Sequence, residues 1–68
     1  MASYYVHTVP QSNGDHEVHE WGCQWMPSTE NRKYLGDFTS CADAVEEAKK
    51  TYTQSNGCAT CSNACHTS

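Results

Sequence analysis

The chain has 68 residues, a formal net charge of −4 and a hydrophobic fraction of 37%. One domain is the most this length supports, over residues 1–68, and such a domain buries only about 60% of the surface its unfolded chain exposes. With one leucine, no isoleucine and four lysines and arginines, the composition excludes both a large aliphatic core and a strongly basic nucleic-acid surface.

Small scaffolds of this kind need a staple, either disulfides or a metal. Five cysteines (Cys23, Cys41, Cys58, Cys61, Cys65) and four histidines (His7, His16, His19, His66) are available for it. Five is odd, so a purely disulfide framework leaves one thiol over. Met1 to Tyr5 lacks the basic and apolar regions of a signal peptide, and no apolar run is long enough to span a membrane. A cytoplasmic, reducing location is the expectation, where clustered cysteines bind metal more often than they pair.

Tyr4 to Val9 reads as a first strand, aromatic and β-branched, stopped by Pro10. Asn13-Gly14 is a hairpin signal because both residues tolerate positive φ. His16 to Trp21 alternates with strand periodicity and pairs with the first strand. Gln24 to Asn31 is a loop. Arg32 to Phe38 is a third strand, in which Gly36 marks a bulge or bend.

A helix follows. Ser40 is placed to cap it, with Asp43 three residues on, close to a capping box. Cys41, Val45, Ala48 and Tyr52 fall on one face. Acids lie early and lysines late, as the helix dipole favours, and Glu46 to Lys50 is a well-oriented i,i+4 pair. Gln54 to Gly57 repeats Gln11 to Gly14, and both read as turns. The tail from Cys58 to Ser68 shows no useful periodicity, and 62–68 is the part expected to be least ordered. The expected fold is α+β: an antiparallel hairpin and third strand packed on one helix, with Trp21, Trp25, Tyr34 and Phe38 supplying much of the remaining core.

Cys58-Ala59-Thr60-Cys61 is a C-x-x-C, in which a tight turn aims two thiolates at one ion. A redox reading of this motif needs a thioredoxin-like βαβ setting, and a helix precedes it here. His19-Glu20-Trp21-Gly22-Cys23 places a histidine four residues before a cysteine at a strand end, so both side chains can converge at the turn. His19, Cys23, Cys58 and Cys61 then form a Cys₃His set, closed to substrate and structural in type. His16 is a rival to His19, and Cys65 or His66 is another source of the fourth ligand. His7 reads as a surface histidine. Cys41 reads as a core thiol, with pairing to Cys65 the alternative in an oxidising setting. Adjacent residues seldom aim their side chains at each other, so Cys65-His66 is not read as a catalytic pair, and no enzyme activity is expected.

The order of parts is a hairpin ending in a ligand-x-x-x-Cys turn, then Asn-Arg-Lys-Tyr-Leu, a helix rich in Ala and Glu, and C-x-x-C. From about Val18 to Cys61 this resembles the N-terminal zinc domain of the Ada DNA methylphosphotriester repair protein and the small Ada-like metal-binding modules. The tail is also similar to that of small bacterial cysteine-rich proteins ending in Asn-Gly-Cys…Cys-His-Thr-Ser. The Ada resemblance implies a four-ligand zinc site, carried to His19, Cys23, Cys58 and Cys61. It does not carry over methyl transfer, since the first ligand is His19 and the basic DNA-facing surface is missing. The functional expectation is a non-enzymatic, zinc-stabilised interaction module with a protein partner. A disulfide-stapled domain and an Ada-like nucleic-acid module are the alternatives.

Overall fold

The computed structural model describes residues 1–67. In chain order these form strands β1 (Ala2–His7), β2 (His16–Glu20) and β3 (Arg32–Phe38), helix α1 (Cys41–Lys49) and strand β4 (Ser55–Gly57). Single 3-10 turns cover Thr29–Asn31 and Asn63–Cys65. The fold is α+β, with one helix and a four-stranded mixed sheet ordered β3-β1-β2-β4.

β1 is central among the expected strands and pairs antiparallel with both β2 and β3. The hairpin turn bends through Gly14, whose φ is +93°, while the Asn13 side chain accepts a hydrogen bond from the Asp15 amide at 2.9 Å. Tyr4 faces Gly36 and Tyr5 faces Tyr34, which leaves Leu35 as an extra residue in β3. Gly36 adopts φ +129° there, so the expected bulge is present and needs glycine's freedom.

The expected turn at Ser55 to Gly57 is instead a fourth strand, parallel to β2. The His16 amide donates to the Gln54 carbonyl and the Cys58 amide to the Val18 carbonyl, both at 2.9 Å. The two Gln-Ser-Asn-Gly segments also meet: the Gln54 side chain donates to the Asn13 carbonyl at 3.0 Å and to Asp15 Oδ1 at 2.8 Å.

Strand side chains alternate between faces. Tyr4, Val6 and Val18 point to one side and bury against Ala44, Val45 and Ala48 of α1, with Leu35, Phe38, Cys41 and Tyr52 packed around them. Three of the four aromatics expected in the core are not there. Trp21, Trp25 and Tyr34 are 59%, 61% and 53% exposed. Only one face of the sheet is covered by the helix, and alternation sends Tyr5 and its register partner Tyr34 to the other.

Two local expectations for the helix are also corrected. Ser40 occupies the N-cap with extended backbone but makes no side-chain capping hydrogen bond. Lys50 pairs with Glu47, at 3.0 Å, and not with Glu46. Cys41 is not a free core thiol: it packs against the core and is disulfide-bonded to Cys65, with a Cα–Cα separation of 6.2 Å. The helix supplies the apolar face, and the tail brings the second sulfur to it.

Residues 62–67 are held by more than this bond. His66 Nδ1 lies 2.9 Å from the Gly57 carbonyl, and the Thr67 amide donates to Asn56 Oδ1 at 3.1 Å. A Cβ on Gly57 would lie 2.7 Å from the Ser62 carbonyl oxygen and 2.8 Å from Cys65 Cβ. Only glycine lets the tail lie this close to β4.

Candidate metal centre

His19 leaves β2 on the face opposite Val18, so it points away from the helix. It is nevertheless 1% exposed. Two segments cover it. The first is the turn after β2, where the Cys23 amide donates to the Glu20 carbonyl at 3.0 Å and Gly22 adopts φ +95°. The second is the turn after β4, where the Ser62 amide donates to the Cys58 carbonyl at 2.9 Å. The first carries Cys23, and the second carries Cys58 and Cys61.

One potential ligand atom from each of His19, Cys23, Cys58 and Cys61 lies within 4.8 Å of all the others. Cys23 Sγ is 3.9 Å from Cys58 Sγ, and Cys61 Sγ is 3.8 Å from His19 Nδ1. Tetrahedral zinc with Zn–S of about 2.3 Å and Zn–N of about 2.0–2.1 Å requires edges of about 3.8 Å for S···S and about 3.6 Å for S···N. The two measured edges are close to those values, and the remaining pairs lie within 4.8 Å. Its three sulfurs and one imidazole suit a borderline-soft ion.

The electrostatics agree with this. Burial, with a smaller contribution from His7, lowers the His19 pKa from 6.5 to about 4, so the ring is neutral and can ligate at neutral pH. Burial, followed by the hydrogen bond with Cys23, pushes the Cys61 thiol up to about 12. The Glu20 amide donates to Cys61 Sγ at 3.3 Å, which favours the thiolate but does not outweigh burial. Without a cation Cys61 stays protonated and is a poor nucleophile. A bound divalent ion reverses that balance, because a coordinating thiol is deprotonated outright.

The rival residues are engaged elsewhere. His16 stacks on Tyr52 with ring centroids 4.0 Å apart, and its Nδ1 lies 3.0 Å from the His7 carbonyl. His66 faces the Gly57 carbonyl. Cys41 and Cys65 are consumed by their disulfide, which leaves Cys23, Cys58 and Cys61 as the free cysteines. His7 sits beside the cluster, lining a groove of about 360 Å³ with Pro10, Glu17, Trp25, Cys58 and Thr60. Ligand spacing does not point to Glu17, whose carboxylate lies 3.5 Å from His19 Nε2. Alternation does place Glu17 and His19 on one face, which is the signal that was available for it.

Fold and cluster together define a small α+β domain with a His/Cys site able to hold a metal ion and a separate disulfide. No family model, curated protein or solved structure matches the chain. No helix among the described residues is long and apolar enough to cross a membrane.

Proposed function

We propose that His19, Cys23, Cys58 and Cys61 bind one structural zinc ion and that the domain is a non-enzymatic interaction module. The observation that carries this reading is the convergence of one imidazole from β2 and three sulfurs from two separate turns, all within 4.8 Å of one another. All four positions are filled by protein, so no coordination site is left for substrate. Apparent zinc-binding energies in such sites are on the order of 10 kcal/mol at neutral pH. The observed core holds three helix residues and three strand residues in tight burial, and the entropy of ordering the chain opposes what that burial contributes.

A protein partner is favoured by the helix-free face of the sheet. Tyr5 lies 5.7 Å from Trp21 and 5.3 Å from Tyr34, centroid to centroid. The Arg32 guanidinium sits 5.0 Å from the Tyr5 ring centroid and 5.3 Å from that of Trp21. Trp21 and Tyr34 are exposed here and Tyr5 and Arg32 half-buried, and Trp, Tyr and Arg are the residue types enriched at protein interfaces. The charge of −4 disfavours the nucleic-acid role that the Ada resemblance would suggest.

The Cys41–Cys65 disulfide supports a refinement: the chain uses both staples at once. A persistent structural disulfide belongs to an oxidising compartment more than to the cytosol. Circular dichroism during withdrawal and return of zinc tests the structural role. The fold should be lost with a chelator and regained when zinc is added back. A spectrum unchanged in metal-free protein would contradict it.

A further inference from the structure

His19 Nε2 is buried and has no hydrogen-bond partner among the described residues. Glu17 Oε1 lies 3.5 Å from it. The opposite ring nitrogen, Nδ1, faces Cys61 Sγ at 3.8 Å, inside the cluster. The two nitrogens thus see different surroundings: sulfur ligands on one side, a carboxylate on the other.

We propose that Glu17 is a positioning residue for the metal centre, fixing His19 in the tautomer that carries its proton on Nε2 and presents the Nδ1 lone pair to the ion. This rests on the zinc reading above. In the alternative tautomer the Nε2 lone pair would face a carboxylate inside a buried site, where lone pair and negative charge repel and no donor compensates. With the proton on Nε2, the same contact becomes a charge-assisted N–H···O⁻ interaction. Ligating histidines characteristically donate their other ring N–H to such a carboxylate. At 3.5 Å the contact is long for a hydrogen bond. Closing it takes a small torsional change in a glutamate that is 24% exposed and open on its groove side.

The register explains why Glu17 holds this role and Glu20 does not. Glu20 lies one position past His19 and therefore on the other face, where its carboxylate accepts from the Tyr4 hydroxyl at 3.4 Å. It matches Glu17 in charge and proximity in sequence but has no path to the ring. Glu20→Ala removes that carboxylate and keeps the backbone amide and carbonyl that meet Cys61 and Cys23, which makes it the control for a general charge effect.

Zinc affinity by competition with a chromophoric chelator, read together with two-bond ¹H–¹⁵N spectra of the zinc-loaded protein, tests the proposal. Wild-type protein should show His19 coordinated through Nδ1 and protonated at Nε2. Glu17→Ala should weaken zinc binding by roughly 10–100-fold. Glu17→Gln, whose amide oxygen still accepts, should recover most of the loss, and Glu20→Ala should change affinity little. Coordination through Nε2, or equal effects of Glu17→Ala and Glu20→Ala, would overturn the role of Glu17 while leaving the zinc site standing. Wild-type protein that binds no zinc would remove the premise itself.

Discussion

His19 is buried on a sheet face that no helix covers, and this governs its chemistry. Burial and the neighbouring His7 hold its pKa near 4, against 6.5 for a free imidazole. The unfolded chain takes up a proton near pH 6.5 while the folded chain resists it until about pH 4. Between those values the unfolded state binds more protons, so stability falls as pH falls. Zinc release acts in the same direction, because its ligands must stay deprotonated. The melting temperature of zinc-loaded protein should therefore drop steadily as pH is lowered from 6.5 toward 4, and a rise over that range would contradict the account. His19→Ala should weaken zinc binding by more than the roughly 10–100-fold expected of an outer-shell change. His7→Ala and His16→Ala should have smaller effects, since His16 is engaged with Tyr52 and the His7 carbonyl. A larger loss in His66→Ala would move the fourth ligand to the tail. The cluster itself was legible in the sequence, because C-x-x-C and the strand-end His-x-x-x-Cys each place two donors at a turn. Glu17 was not, since its relevance depends on which imidazole nitrogen faces the sulfurs.

β3 and α1 were readable along the chain because each carries its own pattern. Arg32 to Phe38 has strand-type residues with one glycine at the bulge, and Cys41, Val45 and Ala48 keep helical spacing. β4 has no such pattern. Ser55, Asn56 and Gly57 favour turns, and they form a strand because β2 offers a free edge and the segment is tethered at both ends. Gly57 is the close-approach point. Gly57→Ala would push a Cβ against the Ser62 carbonyl oxygen and Cys65. It should destabilise the fold by about 1–3 kcal/mol, the usual cost of overpacking, visible as a lower denaturation midpoint. An unchanged midpoint would mean the tail can move away freely. The misplaced aromatics have a related cause. Strand alternation assigns Tyr34 and Trp21 to a face but does not say which face the helix covers.

For the whole molecule, the His/Cys cluster and the disulfide lie on opposite sides of the sheet. Cys58 and Cys61 join His19 on the helix-free face, while Cys65 bonds to Cys41 on the helix. The segment from Cys58 to Cys65 ties the sheet edge to both. Each staple should therefore be removable without abolishing the other. The disulfide closes a loop with a sequence separation of 24, worth on the order of 3 kcal/mol in the chain-entropy view. The double substitution Cys41→Ala, Cys65→Ala should lower the melting temperature yet still bind one zinc ion. Loss of zinc binding in that variant would show that the cluster depends on the disulfide. Composition announced the need for a staple, but not a disulfide beside the His/Cys cluster, because pairing Cys41 with Cys65 depends on the path of the tail across the sheet edge. Native mass spectrometry combined with thiol counting under denaturing, chelating conditions tests the central claim most directly. One zinc ion per chain is expected, with three alkylatable cysteines (Cys23, Cys58 and Cys61) and one intact disulfide. A folded chain that carries no metal would contradict it.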